Sequence, residues 1–193
     1  MKPDPSSAAW NMQRSLRAQV ANNAWANNRL LDACGRLKPA ELAAPRQSFF
    51  PSIISTLNHI LVVDWFYVGA LEGRPDAKAA FASELPFAVV AELATVQRSV
   101  DRRLYDLVDA LAPGALDAIV DLPRDGWLQR EPAGRVLQHL LQHQIHHRGQ
   151  VHAMLAGTTV PPPQLDEFFL EDEAEARARE LDDIGLGDEA VWR

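Results

Sequence analysis

The segment FFPSIISTLNHILVVDWFYVGALEG, residues 49–73, restricts the fold more than any other part of the chain. Its side chains are apolar almost all the way around a helical wheel, which is typical of a helix buried inside a bundle. The segment begins near Pro51, a residue suited to a first helical turn, and ends at glycine. It carries His59 and Asp64, and its apolar run is too short to cross a bilayer, so we expect no membrane partner.

Two further segments have the spacing of long helices. Residues 10–37 contain no proline and place apolar side chains at helical intervals, and we expect that helix to stop at Pro39. Residues 86–111 also start with a proline and contain none afterwards, which predicts another long helix. Together with the buried segment, they indicate an all-α fold.

A fourth helix carries most of the histidines and is preceded by a short irregular segment. Pro132 and Gly157 are suited to its start and its end. Before it, residues 116–130 alternate weakly around Asp125-Gly126, a pair typical of a tight hairpin turn. We therefore predict a four-helix bundle with a crossover connection and a short β-hairpin.

Length and composition suggest one globular domain with an acidic end. The chain has 193 residues, of which 47% are apolar and 23% are charged. We divide it into a flexible N-terminus over residues 1–9, the helical bundle over residues 10–170 and an acidic C-terminal tail over residues 171–193. Most of the net charge of −7 lies in the tail. The nearly neutral remainder lacks the basic face that nucleic-acid binding requires.

The cysteine content and the N-terminal sequence bear on the cellular compartment. Cys34 is the only cysteine, so no intrachain disulfide can form, as is usual in a reducing cytoplasm. The stretch MKPDPSSAAW lacks the apolar core of a secretory signal. We therefore expect a soluble cytoplasmic protein without nucleic-acid or membrane partners.

Five of the six histidines lie within residues 139–152, HLLQHQIHHRGQVH. On an ideal helix, His143 and His147 fall within or beside the apolar face, one turn apart, so their rings can converge on one point. This is the geometry of the two-histidine half of a helical metal site. The pairs His139 with His143 and His143 with His146 have suitable spacings too, but they lie farther from the core.

Two imidazoles alone bind a metal weakly, so a third ligand is expected from another helix. His59 lies in the all-apolar segment, where an unpaired histidine would be destabilising, and it is the predicted third ligand. The alternative is that these histidines are structural and bond to backbone carbonyls or carboxylates without any metal.

Three side chains near these histidines are candidates for catalytic roles. Asp64 could hydrogen-bond a ligand histidine, or it could pair with an indole or an arginine as a structural residue. His146 could relay protons beside His147, or it could be an exposed helical residue. Arg148, with Gln150, could orient ligands or bind an anionic substrate, or it could pair on the helix surface.

The run HQIHHRGQ, together with LNHILVVDWFY upstream, resembles the DinB family, the DinB/YfiT-like superfamily of metalloenzymes. NNAWANNRLLD and VPPPQLDEFFL are similar to other recurring stretches of that family, so the resemblance covers about residues 10–170. It implies a four-helix bundle with one long crossover, commonly a homodimer, that holds a divalent metal ion on three histidines. By position, these are His59, His143 and His147. The acidic stretch after Leu170 is not part of that pattern.

Three neutral imidazoles leave a divalent ion's charge unneutralised and a coordination position open, which is typical of a catalytic site. Zinc and nickel both suit imidazole. Hydrolysis and thiol transfer are both chemically available, and the resemblance also implies thiol-dependent S-transferases and a maleylpyruvate isomerase as relatives. The first hypothesis is therefore an enzyme acting on a small-molecule substrate, with a low-molecular-weight thiol as a further cofactor in the transferase case. The second is a non-catalytic binding or assembly protein in which the histidines or the metal are structural.

Overall fold

The computed structural model describes residues 10–193, which form mainly α-helices. The elements, in chain order, are α1 (Met12–Cys34), α2 (Pro39–Ala43), α3 (Ile53–Leu71), α4 (Val90–Asp109), the strands β1 (Ile119–Pro123) and β2 (Leu128–Pro132), α5 (Ala133–Leu155), α6 (Ala174–Asp183) and α7 (Asp188–Trp192). Short 3-10 turns cover Ala77–Ala82, Ala115–Asp117 and Glu171–Glu173. The flexible N-terminus predicted over residues 1–9 lies outside the described residues.

The four long helices pack into a bundle in which α1 and α3 each contact both α4 and α5. Helices α1 and α3 therefore lie at diagonally opposite corners of the bundle, although they are consecutive long helices in the sequence. Helices α4 and α5 are also diagonal to each other. The connection from α1 to α3 through α2 and the connection from α4 to α5 through the hairpin therefore both cross the bundle. This confirms the predicted all-α four-helix bundle with a crossover connection, and it places α3 beside α5.

Helix α3 is buried, as its apolar composition predicted. Leu61 and Phe66 are fully buried within it. Among the described residues, α3 is the one helix that is long and apolar enough to cross a membrane, but 78% of its most apolar window lies inside the protein. The core helix of a bundle has the same length and composition, and α3 occupies that position here.

Two boundaries differ from the sequence prediction. Pro51 lies outside α3, because Ser52 caps the helix by accepting a hydrogen bond from the amide of Ser55 at 3.3 Å. Helix α1 ends at Cys34, earlier than predicted, and Pro39 begins the short helix α2. The prolines therefore mark the neighbourhoods of these boundaries rather than the boundaries themselves.

The start of α4 was also predicted too early. The helix begins at Val90 instead of Pro86. The buried side chain of Asn58 in α3 binds the backbone of Phe87 in both directions, accepting from its N–H at 2.9 Å and donating to its carbonyl at 2.8 Å. Because these bonds hold Phe87 in a loop, the helix can start only after it.

The predicted hairpin is confirmed. Strands β1 and β2 pair antiparallel, with Ile119 opposite Pro132 at the open end. The amide of Arg124 donates to the carbonyl of Trp127 at 2.9 Å and closes the turn, in which Gly126 has a φ of 78°. A side chain other than glycine would be strained at that φ. The hairpin leads directly into α5.

The acidic residues 171–193 fold back onto the bundle. Helices α6 and α7 pack against α1, and Leu181 is fully buried. The carboxylate of Glu180 accepts hydrogen bonds from the indole of Trp25 and from Nε of Arg29, the latter at 2.8 Å. Part of the acidic charge is therefore neutralised by α1.

Candidate metal centre

Three histidines from two neighbouring helices converge where α3 packs beside α5. His59 lies near the middle of α3, and His143 and His147 lie one turn apart on α5. The ring centroid of His59 is 4.9 Å from that of His143 and 4.6 Å from that of His147, and the last two are 4.4 Å apart. One nitrogen from each ring lies within 4.8 Å of the other two. This cluster, which we call the histidine triad, could hold a divalent metal ion.

The ring nitrogens of the triad have different neighbours. The Nε2 atoms of His59 and His143 lie 2.9 Å apart. The Nδ1–H of His147 donates to Oε1 of Gln150 at 2.8 Å, which leaves the lone pair on Nε2 for a metal. The Nδ1 of His143 is buried without a hydrogen-bond partner in the part of the chain described. The geometry thus favours Nε2 as the ligand atom of each ring.

The three rings are uncharged at neutral pH. Burial, and the charge that His147 would carry, lower the pKa of His59 to about 4. Burial and the neighbouring histidines lower the pKa of His143 to about 3. Burial also lowers the pKa of His147, although its hydrogen bond to Gln150 acts in the opposite direction. Neutral imidazole is the form that binds metals, so protons do not compete at neutral pH.

The donor set fits a divalent transition metal with an incomplete protein shell. Within residues 10–193, the cluster contains three histidines and no carboxylate or thiol. Such a set leaves the double positive charge of the ion unneutralised. His59 and His143 are only half-buried, so a further ligand can reach the centre from solvent.

Phe50 forms one wall of the triad. Its ring centroid lies 4.2 Å from that of His59 and 5.6 Å from that of His147. The ring therefore keeps water from that side of the triad. Sequence reasoning missed this residue, because an aromatic pair before a helix is equally typical of ordinary packing.

The other histidines of the run lie outside the triad. His139 and His146 are exposed, and Nε2 of His152 bonds to the carbonyl of Pro163 at 2.9 Å. His146 is linked to the triad through Gln150, whose side-chain amide donates to Nε2 of His146 at 3.1 Å. A role for His146 in proton relay stays a prediction, and Gln150 would be its link to the metal ligands.

Asp64 lies in the core of the bundle and bonds to amides. Its Oδ2 accepts from the side chains of Gln97, at 2.7 Å, and Gln144, and its Oδ1 has no partner among the described residues. The hydrogen bond to a ligand histidine, one of the two roles predicted for Asp64, is therefore absent from this part of the chain. Direct pairing with an indole or an arginine is absent as well. Burial raises the pKa of Asp64 to about 7.

Arg148 is also buried, so the pairing on the helix surface considered for it is wrong. Its Nη1 donates to the side-chain oxygens of Asn23, of Asn27 at 3.0 Å and of Gln144 at 3.1 Å. The amide groups of Asn23 and Asn27 donate in turn to Asp101, at 3.3 and 3.0 Å. We call this set the buried polar network: Asn23, Asn27, Asp64, Gln97, Asp101, Gln144 and Arg148.

The buried polar network separates one arginine from two carboxyl groups by side-chain amides. Burial, together with the nearby charge of Asp64, raises the pKa of Asp101 to about 8. Burial lowers the pKa of Arg148 to about 10, while the two carboxyl groups act in the opposite direction. Arg148 therefore lies inside the core and bonds to the amide side chains between it and the two carboxyl groups.

We expect Gln150→Leu to weaken zinc binding by roughly tenfold to 100-fold, because the Nδ1–H of His147 loses the acceptor that orients its ring. Competition with a chromophoric chelator measures this affinity. Gln142→Leu, at an exposed position of the same helix, is the matched control and should bind zinc as the wild type does. Equal affinities for the two variants would show that the bond does not orient His147.

The low pKa values predict an unusual pH dependence of metal binding. Because the pKa values of His59 and His143 are about 4 and 3, neither ring must release a proton to bind zinc at neutral or mildly acidic pH. Between about pH 7.5 and 5.5, affinity should therefore fall by no more than the competition of one proton, the one that His147 takes up, and it should fall more steeply at lower pH as the other two rings are protonated. Chelator competition at several pH values measures it. A steep loss beginning near pH 6.5 would indicate histidines with ordinary pKa values.

Two comparisons with known proteins agree with this architecture. Residues 12–180 match the DinB family. The chain is 28% identical over 119 residues to the "Uncharacterized protein YizA" of Bacillus subtilis (strain 168), an alignment that covers 61% of this chain and 72% of that protein. The family match includes all three triad histidines. It also includes residues 171–180, which the sequence analysis had assigned to a tail outside the family pattern. Because the match covers most of its length, this chain belongs to the DinB family.

Proposed function

We propose that this protein is a metal-dependent enzyme that acts on a small molecule, by hydrolysis or by transfer of a thiol. The donor set carries the proposal: three neutral imidazoles from α3 and α5, with no carboxylate in the cluster among the described residues. Structural zinc sites are usually closed by four protein ligands, whereas catalytic sites keep three and leave a position open. A divalent ion held there would bring the pKa of a water molecule close to neutral, and it would convert a bound thiol to the thiolate.

The side chains around the triad have separate roles in this proposal. His59, His143 and His147 would bind the ion, and zinc and nickel both suit them. Gln150 would orient His147 by accepting its Nδ1–H. Phe50 covers one side of the triad by packing against His59 and His147.

A cleft beside the triad supports a small-molecule substrate. Its volume of about 610 Å³ is within the usual range of ligand sites, roughly 300–1,000 Å³. Phe49, Gln150 and Met154 contribute to its lining. None of the triad histidines lines this cleft, and Gln150, which does, connects it to the triad through its hydrogen bond to His147.

Metal-dependent turnover in protein purified without a histidine tag tests the proposal. Hydrolysis is assayed with p-nitrophenyl esters, and thiol transfer with cysteine and monochlorobimane, in which the thiolate displaces chloride. We expect turnover in one assay with zinc or nickel, and none in metal-free protein or after His59→Ala. Thermal stabilisation by metal without turnover in either assay would instead support the alternative, a binding or assembly protein whose metal is structural.

We also propose that the chain forms a homodimer. Exposed apolar side chains support this, among them Ile145 and Phe169, which line a groove between α1 and α5. Light scattering after size exclusion should give twice the chain mass of 21.4 kDa, and the mass of a single chain would contradict the proposal. A cytoplasmic location without nucleic-acid or membrane partners stays a prediction.

A further inference from the structure

Within residues 10–193, no carboxylate forms an ion pair with the arginine that lines the cleft beside the triad. Arg46 lines the cleft together with Phe49, Gln150 and Met154. Among the described residues, its side chain makes one hydrogen bond, from Nη2 to the carbonyl oxygen of Glu41 at 3.2 Å, and no ion pair. Its Nε is buried and has no hydrogen-bond partner in the described part of the chain. The guanidinium is therefore held by one hydrogen bond, and its Nε–H and Nη1–H groups bond to no described residue.

The unused Nη1 lies at the wall of the cleft. A Cβ atom built on Gly157, which also lines the cleft, would lie 3.6 Å from Nη1 of Arg46. Because Gly157 has no side chain, nothing at that position covers Nη1. A fixed guanidinium with a free N–H beside a cleft is suited to bind an anionic group by a charge-assisted hydrogen bond.

The loop that carries Arg46 is also fixed relative to the triad. The amide of Arg46 donates to the carbonyl oxygen of Pro51 at 2.8 Å, which closes the loop between them. Within this loop, Phe50 packs against His59, and Phe49 packs edge-on against Phe50 with ring centroids 4.9 Å apart. The same loop therefore carries Arg46 at the cleft and Phe50 at the triad, although no triad histidine lines the cleft.

Phe49 gives the cleft an apolar surface next to this charge. Its side chain is 81% exposed, although a phenylalanine is normally buried, and it lines the cleft opposite Met154 on α5. An exposed aromatic ring beside a cleft is suited to contact an apolar part of a ligand. The cleft thus offers one positive group and one apolar surface.

We propose that Arg46 binds an anionic group of the substrate, such as a carboxylate, while Phe49 and Met154 contact an adjacent apolar part. This inference rests on the proposed function, because it assigns a substrate class to the cleft next to the triad: small molecules that combine one negative charge with an apolar group. Arg46 recognises the substrate in this scheme, and the triad holds the ion at the reacting end.

Benzoate binding tests the proposal, with uncharged benzamide as the comparison. Calorimetric titration of the zinc-loaded protein should show saturable benzoate binding and benzamide binding that is weaker by about tenfold or more. Arg46→Gln should raise the Kd for benzoate by about tenfold or more, and Arg46→Lys should raise it less because the charge is retained. Any direct contact between benzoate and zinc contributes equally to wild type and variants, so the comparison between proteins, and not that between benzoate and benzamide, decides the test.

Two further variants complete the test. Gly157→Leu fills the space beside Nη1 and should weaken benzoate binding without removing a charge, so it serves even if Arg46→Gln folds poorly. Arg135→Gln removes an exposed arginine near the opposite end of α5 and should leave the Kd unchanged. The inference is overturned if benzoate does not bind saturably, if Arg46→Gln or Gly157→Leu leaves the Kd unchanged, or if Arg135→Gln raises it equally.

Zinc content, measured by mass spectrometry on the same samples, separates the two proposals. Wild-type protein that binds neither zinc nor nickel would contradict the proposed function, while the benzoate comparison between Arg46 variants could still be made. Protein that retains zinc but shows no effect of Arg46→Gln would contradict the inference alone.

Discussion

Replacing His143 with alanine is expected to reduce bound metal from about one ion per chain to a small fraction of that, because two imidazoles alone hold a divalent ion weakly. The variant should also lose the thermal stabilisation that metal gives the wild type, about 4 kcal/mol when free metal is about 1,000 times its Kd. Mass spectrometry measures the metal content, and melting curves with and without a chelator measure the stabilisation.

His139→Ala is the matched control for this experiment. His139 lies one turn before His143 on the same helix, is exposed, and is not a member of the triad. This variant should keep its metal. An unchanged metal content in His143→Ala would exclude the triad as the site. Loss of metal in both variants would instead favour the His139 and His143 pair, which has the same spacing in the sequence.

Replacing Arg148 with methionine is expected to lower the free energy of unfolding by about 3–5 kcal/mol, because it leaves the buried side-chain oxygens of Asn23, Asn27 and Gln144 without their charged donor. Methionine roughly preserves the length of the side chain, so the effect reports mainly the lost charge and hydrogen bonds. Urea denaturation at fixed pH and fixed metal concentration measures the change. The melting temperature should fall by on the order of 10 °C.

Arg179→Met provides the comparison for this effect. Arg179 is 72% exposed in its side chain and forms an ion pair with Glu175 one turn earlier on α6. Exposed pairs of this kind contribute little, so the change in unfolding free energy should stay below about 0.5 kcal/mol. If Arg148→Met were as mild as Arg179→Met, the buried polar network would not depend on its cation.

The sequence predicts the triad because each of its members is specified by local helical geometry. The spacing of His143 and His147 places both on one side of α5 wherever that helix packs. His59 is predicted as a ligand because it is a polar ring in a helix whose other side chains are almost all apolar. The burial of α3 is predicted for the same reason. The convergence of the three rings additionally requires that α3 and α5 be neighbours, which the family resemblance implied.

The buried polar network could not be predicted, because its bonds join four helices whose arrangement the sequence does not state. In the sequence, Arg148 resembles a surface residue of a helix, and it is buried because α1 packs against α5. Asn23 and Asn27 did carry a usable signal, since asparagine is a poor helix former and these two lie one turn apart inside a long helix. Their spacing indicates a shared polar partner, although not which one.

The position of Phe50 beside the triad and the first residue of α4 also depend on tertiary contacts. The ring of Phe50 lies beside the triad only because the loop before α3 folds back over His59. Helix α4 starts after Pro86 because a side chain from α3 holds the preceding backbone. Local propensity locates such residues within a few positions, and packing decides the rest.

On α5, residues of the histidine triad are directly followed in the sequence by residues of the buried polar network. His143 and His147 of the triad are each followed by a member of the buried polar network, Gln144 and Arg148. Successive residues on an α-helix are about 100° apart, so the bonds that these two make to α3 and α1 set the rotation of α5 about its axis. That rotation also directs both imidazole rings. Folding alone therefore preorganises the metal ligands, and ion binding should require almost no rearrangement of the helix.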